Sequence, residues 1–133
     1  MRPKVILFSA DGNIVNSPDF KESVPALFGK GYRMLIISSH GQKFIEDFSK
    51  KSELDNYFEY VPSREDMIIS IEEIVKHFNA PAEMMVLVGE ENDMKIAKKF
   101  GVNFIGVANS KEEKEILDKA GCMIILNSVA DLT

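Results

Sequence analysis

Short apolar runs alternate with longer stretches of helical periodicity along this chain. The runs are Val5–Phe8, Met34–Ile37, Tyr57–Val61, Met85–Val88, Phe104–Val107 and Met123–Leu126. Most are continuous rather than alternating, which is the pattern of parallel strands buried on both faces. Between them, Phe20, Val24, Leu27 and Phe28 fall at helical spacing, as do Phe44, Ile45 and Phe48, and Ile71, Ile74, Val75 and Phe78. Ala97 with Phe100, and Ile116 with Leu117 and Ala120, repeat the pattern. Gly29 and Gly31, Gly101 and Gly121 stand where helices must stop before the next strand. This rhythm predicts right-handed βαβ crossovers in a three-layer αβα sandwich. Its sheet would be Rossmann-like and mostly parallel, with about five to six strands.

Composition narrows the class without changing the fold. At 133 residues the chain has the length of one domain, and residues 1–133 are read as a single unit. Hydrophobic residues make up 45%, too many for disorder. A formal net charge of -5 argues against nucleic acid as a partner. No apolar run is long enough to cross a bilayer, so no membrane partner is expected. A lone Cys122 allows no internal disulfide, and without an export signal the cytoplasm is the expected compartment.

In such a fold, chemistry is expected at the carboxyl ends of the strands, near the point where strand order reverses. Three segments follow strand ends with suitable residues. They are Ser9-Ala10-Asp11-Gly12-Asn13, Ser38-Ser39-His40-Gly41 and Gly89-Glu90-Glu91-Asn92-Asp93.

In this order and spacing, the three segments resemble the motifs of the haloacid dehalogenase-like superfamily. There an apolar strand leads into Asp-x-Asp-Gly-Thr-Leu, a second strand into Ser or Thr, and a later strand ending in Gly into an acidic pair. The resemblance extends through Ala97-Lys98-Lys99-Phe100-Gly101-Val102 to the tail at Leu132. It implies Mg²⁺-dependent phosphatase chemistry: the first Asp attacks phosphorus and the second acts as general acid and base. Mg²⁺ is held by the first Asp, the backbone carbonyl of the second and an acid of the last motif.

The departures matter as much. Ser9 stands at the nucleophile position, while Asp11 keeps the acid/base position. Glu90 replaces the usual Asp, and the segment to Asp93 is about one residue shorter than the common form. The Lys expected after the third strand is missing, with Arg64 the nearest cation. The resemblance therefore assigns Ser9 and Asp11 to the catalytic positions. Gly12, Ser38, Ser39 and Arg64 fall to phosphate binding, and Asp11, Glu90 and Asp93 to a Mg²⁺ site that is weak at best. Such a site belongs to a phosphatase-like protein impaired in catalysis, with a binding or regulatory role. The alternative is an active phosphohydrolase that attacks a phosphomonoester through Asp11.

Each residue also has a plainer reading. Asp11-Gly12 is an ordinary turn pair. Ser38 and Ser39 fit a helix cap as well as a phosphate cradle, and Asn92 or Asp93 could cap the following helix. His40 reads as a solvated loop residue, and His77 as a partner of a helix C-terminus. Cys122, at the start of a buried strand, and Met84, Met85, Met94 and Met123 read as core.

Many members of the superfamily carry a cap domain after the first or second motif. Ile14–Tyr32 and Gly41–Val61 are each too short to hold one, so a capless domain with an open site is expected. The partner implied is a phosphorylated small molecule or a protein, and a homo-oligomer is compatible with the openness.

Overall fold

The computed structural model describes residues 5–10, 14–60 and 71–133. Five parallel strands form one sheet: β1 (Val5–Ser9), β2 (Arg33–Ile37), β3 (Met85–Gly89), β4 (Asn103–Val107) and β5 (Ile125–Leu126). Their order across the sheet is β2-β1-β3-β4-β5. Among the described residues, five α-helices connect or flank them: α1 (Pro18–Gly29), α2 (Gln42–Lys51), α3 (Ile71–Phe78), α4 (Glu91–Phe100) and α5 (Lys111–Lys119). The αβα architecture expected from the strand rhythm is the one observed.

Alternation along each strand divides the core into two layers. Ile6 and Phe8 face one side with Met34 and Ile36, against Phe20, Val24 and Leu27 of α1 and Ile45 of α2. Val5 and Leu7 face the other with Leu35 and Leu87, against Ile74 and Phe78 of α3 and Ala97 of α4. Every residue of β1 is buried, as a central strand covered on both faces requires. A smaller third cluster seats Leu117 of α5 on Ala108 and Cys122.

Local signals set the helix limits. Ser17 caps α1, its hydroxyl accepting the Phe20 N–H at 3.3 Å, and Pro18 follows at the first turn. Ser110 caps α5 in the same way through the Glu113 N–H at 3.2 Å. Gly101 ends α4 in the left-handed region, with φ 72°.

Two of the six apolar runs are not the strands they suggest. Tyr57 closes a turn and residues 58–60 belong to no strand, while position 61 lies outside the described residues. Phe58 turns into the core and stacks on Phe20 at 6.1 Å between ring centroids, while the Glu59 N–H donates to the Met34 carbonyl at 2.8 Å. The last run contracts to Ile125–Leu126. Cys122 precedes that strand, although it is buried as expected. Met123 is 96% exposed, which corrects its reading as core; Met85 is fully buried, and Met84 and Met94 are partly so. Among the described residues, no helix is long and apolar enough to cross a membrane.

Candidate functional site

The chain runs from β1 outward to β2, then returns past β1 to β3, so strand order reverses at β1. Helices α1 and α2 cover one face and α3 and α4 the other. The crevice between the carboxyl ends of β1 and β3 is therefore the natural place for a site. Ser9, the last residue of β1, lies there with 1% exposure. Ser38 directly follows β2, whose Ile37 pairs with Ser9 in register. Gly89 ends β3, and Glu90 leads into α4.

Asp93 joins the two sides of the crevice. It sits in the first turn of α4 and is only 4% exposed. The Ser9 hydroxyl donates to its Oδ1 at 2.7 Å, across 84 residues of sequence. Its Oδ2 accepts the Glu90 N–H at 2.8 Å, and the Asp93 N–H donates to the Glu90 carbonyl at 2.9 Å. Glu90 is thus the N-cap residue, and Asp93 closes the first turn from the third helical position. Asp93 thus takes part in capping α4, as one of its two readings had it, while Asn92 does not.

Gly89 makes this arrangement possible. A Cβ at that position would stand 2.4 Å from Asp93 Oδ2 and 2.8 Å from its Cγ. The glycine that ends β3 is therefore a matter of space: the carboxylate lies where a side chain would be.

On the other side, the Ser38 hydroxyl accepts the His40 N–H at 3.0 Å, and the Gly41 N–H donates to the Ser38 carbonyl at 3.4 Å. Ser38 thus satisfies its own loop, whereas the N-cap of α2 is Gly41, so neither Ser38 nor Ser39 holds the cap position that the plainer reading gave them. Ser38 is buried, whereas Ser39 and His40 are exposed. The structure brings Ser9, Ser38, Glu90 and Asp93 to one edge of the sheet. Asp11, Gly12 and Arg64 lie outside the described residues.

Beside this edge opens a cleft of about 160 Å³, lined by Asp19, Glu90, Asn109, Glu113, Asn127 and Ser128 among others. The Ser128 hydroxyl donates to Asp19 Oδ2 at 2.7 Å. Of these, the sequence marked only Glu90 as a candidate site residue. Asn109 and Asn127 follow the ends of β4 and β5, so the same carboxyl-edge rule could have found them. Asp19 and Glu113 come from the first turns of α1 and α5, which the strand pattern does not mark. Among the described residues, three carboxylates and no Lys or Arg line the cleft.

Magnesium needs several hard oxygen ligands at short range. Among the described residues, no group of three His, Cys, Asp or Glu side chains is placed to hold a metal. Ser9 brings a neutral hydroxyl to the β1 position, and both Asp93 oxygens already accept hydrogen bonds. The described donor set does not fit a firm Mg²⁺ site.

Sequence comparison matches residues 6–107 to the family model for haloacid dehalogenase-like hydrolases. The chain belongs to this family. Phosphatases of the family generally use Mg²⁺. No curated protein matches the sequence. Among solved structures, a provisionally assigned phosphatase from Clostridium difficile superposes with a TM-score of 0.74 at 18% identity, over 99% of this chain and 97% of that one. The core domain of a provisionally assigned phosphoglycolate phosphatase from Streptococcus pneumoniae gives 0.70 at 14% identity, over 99% and 93%. A haloacid dehalogenase-like hydrolase from Streptococcus pneumoniae gives 0.71 at 16% identity, over 87% of this chain but 57% of its own. The chain thus spans little more than half of that longer relative. At these identities the likeness is one of fold.

Proposed function

We propose that this haloacid dehalogenase-like domain is impaired as a phosphatase and acts by binding or regulation, with a phosphorylated small molecule or a protein as its partner. It is read as a capless domain with an open edge. The observation that carries the proposal is the Ser9–Asp93 hydrogen bond. At the end of β1, where the family places a nucleophilic carboxylate, this chain has a neutral hydroxyl directed at another residue. Carboxylates are weak bases, so Asp93 is poorly suited to activate a serine that is 1% exposed. Losing a covalent nucleophile costs about 10⁴–10⁶ in rate, or roughly 5–8 kcal/mol of transition-state stabilisation. The acidic walls of the cleft add to that handicap.

The reading is tested with the purified protein, an aryl phosphate and Mg²⁺. Hydrolysis should not exceed background, and a trifluoroberyllate phosphate mimic should leave no adduct on Ser9 or Asp11. Turnover at an ordinary enzymatic rate, or an adduct on Asp11, would instead establish a phosphohydrolase that uses the retained aspartate. Of Asp11, Glu90 and Asp93, the residues assigned to Mg²⁺, Asp93 is already engaged by Ser9 and Glu90, so any Mg²⁺ site in the proposed role is weak.

A further inference from the structure

We infer that the Ser9 hydroxyl takes the place of a divalent cation at this edge, so that Asp93 is held by a proton and the fold does not depend on metal. A buried carboxylate is costly unless charge or hydrogen bonds compensate it. At 4% exposure Asp93 has little water to call on. Its Oδ1 receives the Ser9 O–H at 2.7 Å and its Oδ2 the Glu90 N–H at 2.8 Å, both charge-assisted bonds of good length. The carboxylate is also wedged against Gly89, with Oδ2 2.4 Å from the place a Cβ would take. No room for an ion remains between Asp93 and the 89–90 backbone. To coordinate Mg²⁺, Asp93 would have to leave one of these donors and move off Gly89.

The substitution at position 9 and the geometry at position 93 therefore belong together. A carboxylate at the end of β1 would face the Asp93 carboxylate at hydrogen-bond range, and two like charges so close in a buried site need a cation between them. A hydroxyl removes the repulsion and supplies a donor in the same step. This inference shares with the proposed function only the reading of Ser9 as the occupant of the nucleophile position. Its test reads stability, not turnover, so either can fail without the other.

The experiment compares thermal midpoints of the wild type, S9A, S9D and D93N, with and without about 10 mM Mg²⁺, and after chelation. The wild-type midpoint should not respond to Mg²⁺ or to chelator. A site with a Kd of about 0.1 mM would raise it by roughly 10 °C under these conditions. S9A should melt several degrees lower, on the order of 5 °C, and stay insensitive to Mg²⁺. S9D should melt lower still without metal and recover when Mg²⁺ is added. A wild-type rise with Mg²⁺ that D93N abolishes overturns the inference. A rise that D93N leaves intact places an ion elsewhere and overturns the claim that the fold does not depend on metal. An S9D protein that is stable and indifferent to Mg²⁺ also overturns it. Should S9D fail to fold, S9A decides: an unchanged midpoint means the hydroxyl holds nothing.

Discussion

Gly89 ends β3 because the Asp93 carboxylate lies where a side chain at that position would stand. That a glycine ends the strand is visible in the motif; the reason is not. It depends on Asp93 folding back over the strand end and on Ser9 reaching it from 84 positions away. The same long-range contact explains why the two readings of Asp93, metal ligand or helix cap, could not be separated locally. Its carboxylate does serve the first turn of α4, through the Glu90 N–H, while also bridging to β1. We predict that Gly89→Ala destabilises the protein by about 2–3 kcal/mol, because the added methyl meets Asp93 Oδ2 at 2.4 Å and must expel a buried carboxylate from its donors. Chemical denaturation of the variant, fitted for its midpoint, checks this. Pairing it with D93N should relieve part of the loss, since the expelled group would then be neutral.

At the scale of elements, the amphipathic helices were legible because burial at three- and four-residue spacing is a local property. Phe20, Val24 and Leu27 of α1 are buried on one face as their spacing implied, and Phe28 is half exposed beside them. The Tyr57–Tyr60 stretch misled because its apolar residues serve aromatic packing instead of a ladder. Phe58 fills the core, and Glu59 meets Arg33 at the start of β2 and His77 near the end of α3. Arg33 Nε donates to Glu59 Oε2 at 2.6 Å, its Nη2 donates to Oε1, and His77 Nε2 lies 2.9 Å from Oε1. The guanidinium also stacks over the Phe78 ring at 4.7 Å.

Burial alone would raise the Glu59 pKa, but the hydrogen bonds and charges of Arg33 and His77 outweigh it and hold the carboxyl below its ordinary value of 4.5. A depressed folded pKa means that the stabilisation is complete above the unfolded value. It is lost as pH falls from about 4.5 through the folded value. The Arg33 side chain is 47% exposed, so solvent screens the cluster and limits its contribution to about 1 kcal/mol or less. Glu59→Gln should therefore lower the thermal midpoint by a few degrees at pH 7. Melting curves of the two proteins should converge near pH 3 and below; a gap that persists there would mean that Glu59 acts through packing instead of charge.

For the whole molecule, the strand rhythm made the sheet legible and the motifs pointed to its carboxyl edge as the candidate site, while the acidic cleft came from elements that carry no motif. Asp19 and Glu113 reach it from the starts of α1 and α5, so only the assembled fold makes them neighbours of Glu90. That arrangement decides how far the site can be recovered. Ser9→Asp returns a nucleophilic carboxylate, and Glu90→Asp returns the usual acid of the last motif. Neither supplies the missing lysine, and the cleft walls stay acidic. If the scaffold is an eroded phosphatase, a deficit of about 10²–10³ in rate should remain, the usual effect of one absent electrostatic partner at a reacting centre. We therefore predict that Ser9→Asp, with or without Glu90→Asp, raises Mg²⁺-dependent aryl phosphate hydrolysis above the wild-type background yet leaves it well short of an ordinary phosphatase. Steady-state assays across a Mg²⁺ series check this, with the metal-free reaction as the baseline. Activity unchanged in both variants, together with no response to Mg²⁺, would show that the edge has lost its phosphatase geometry beyond the replaced residues, and the cleft would then have to be understood as a binding surface in its own right.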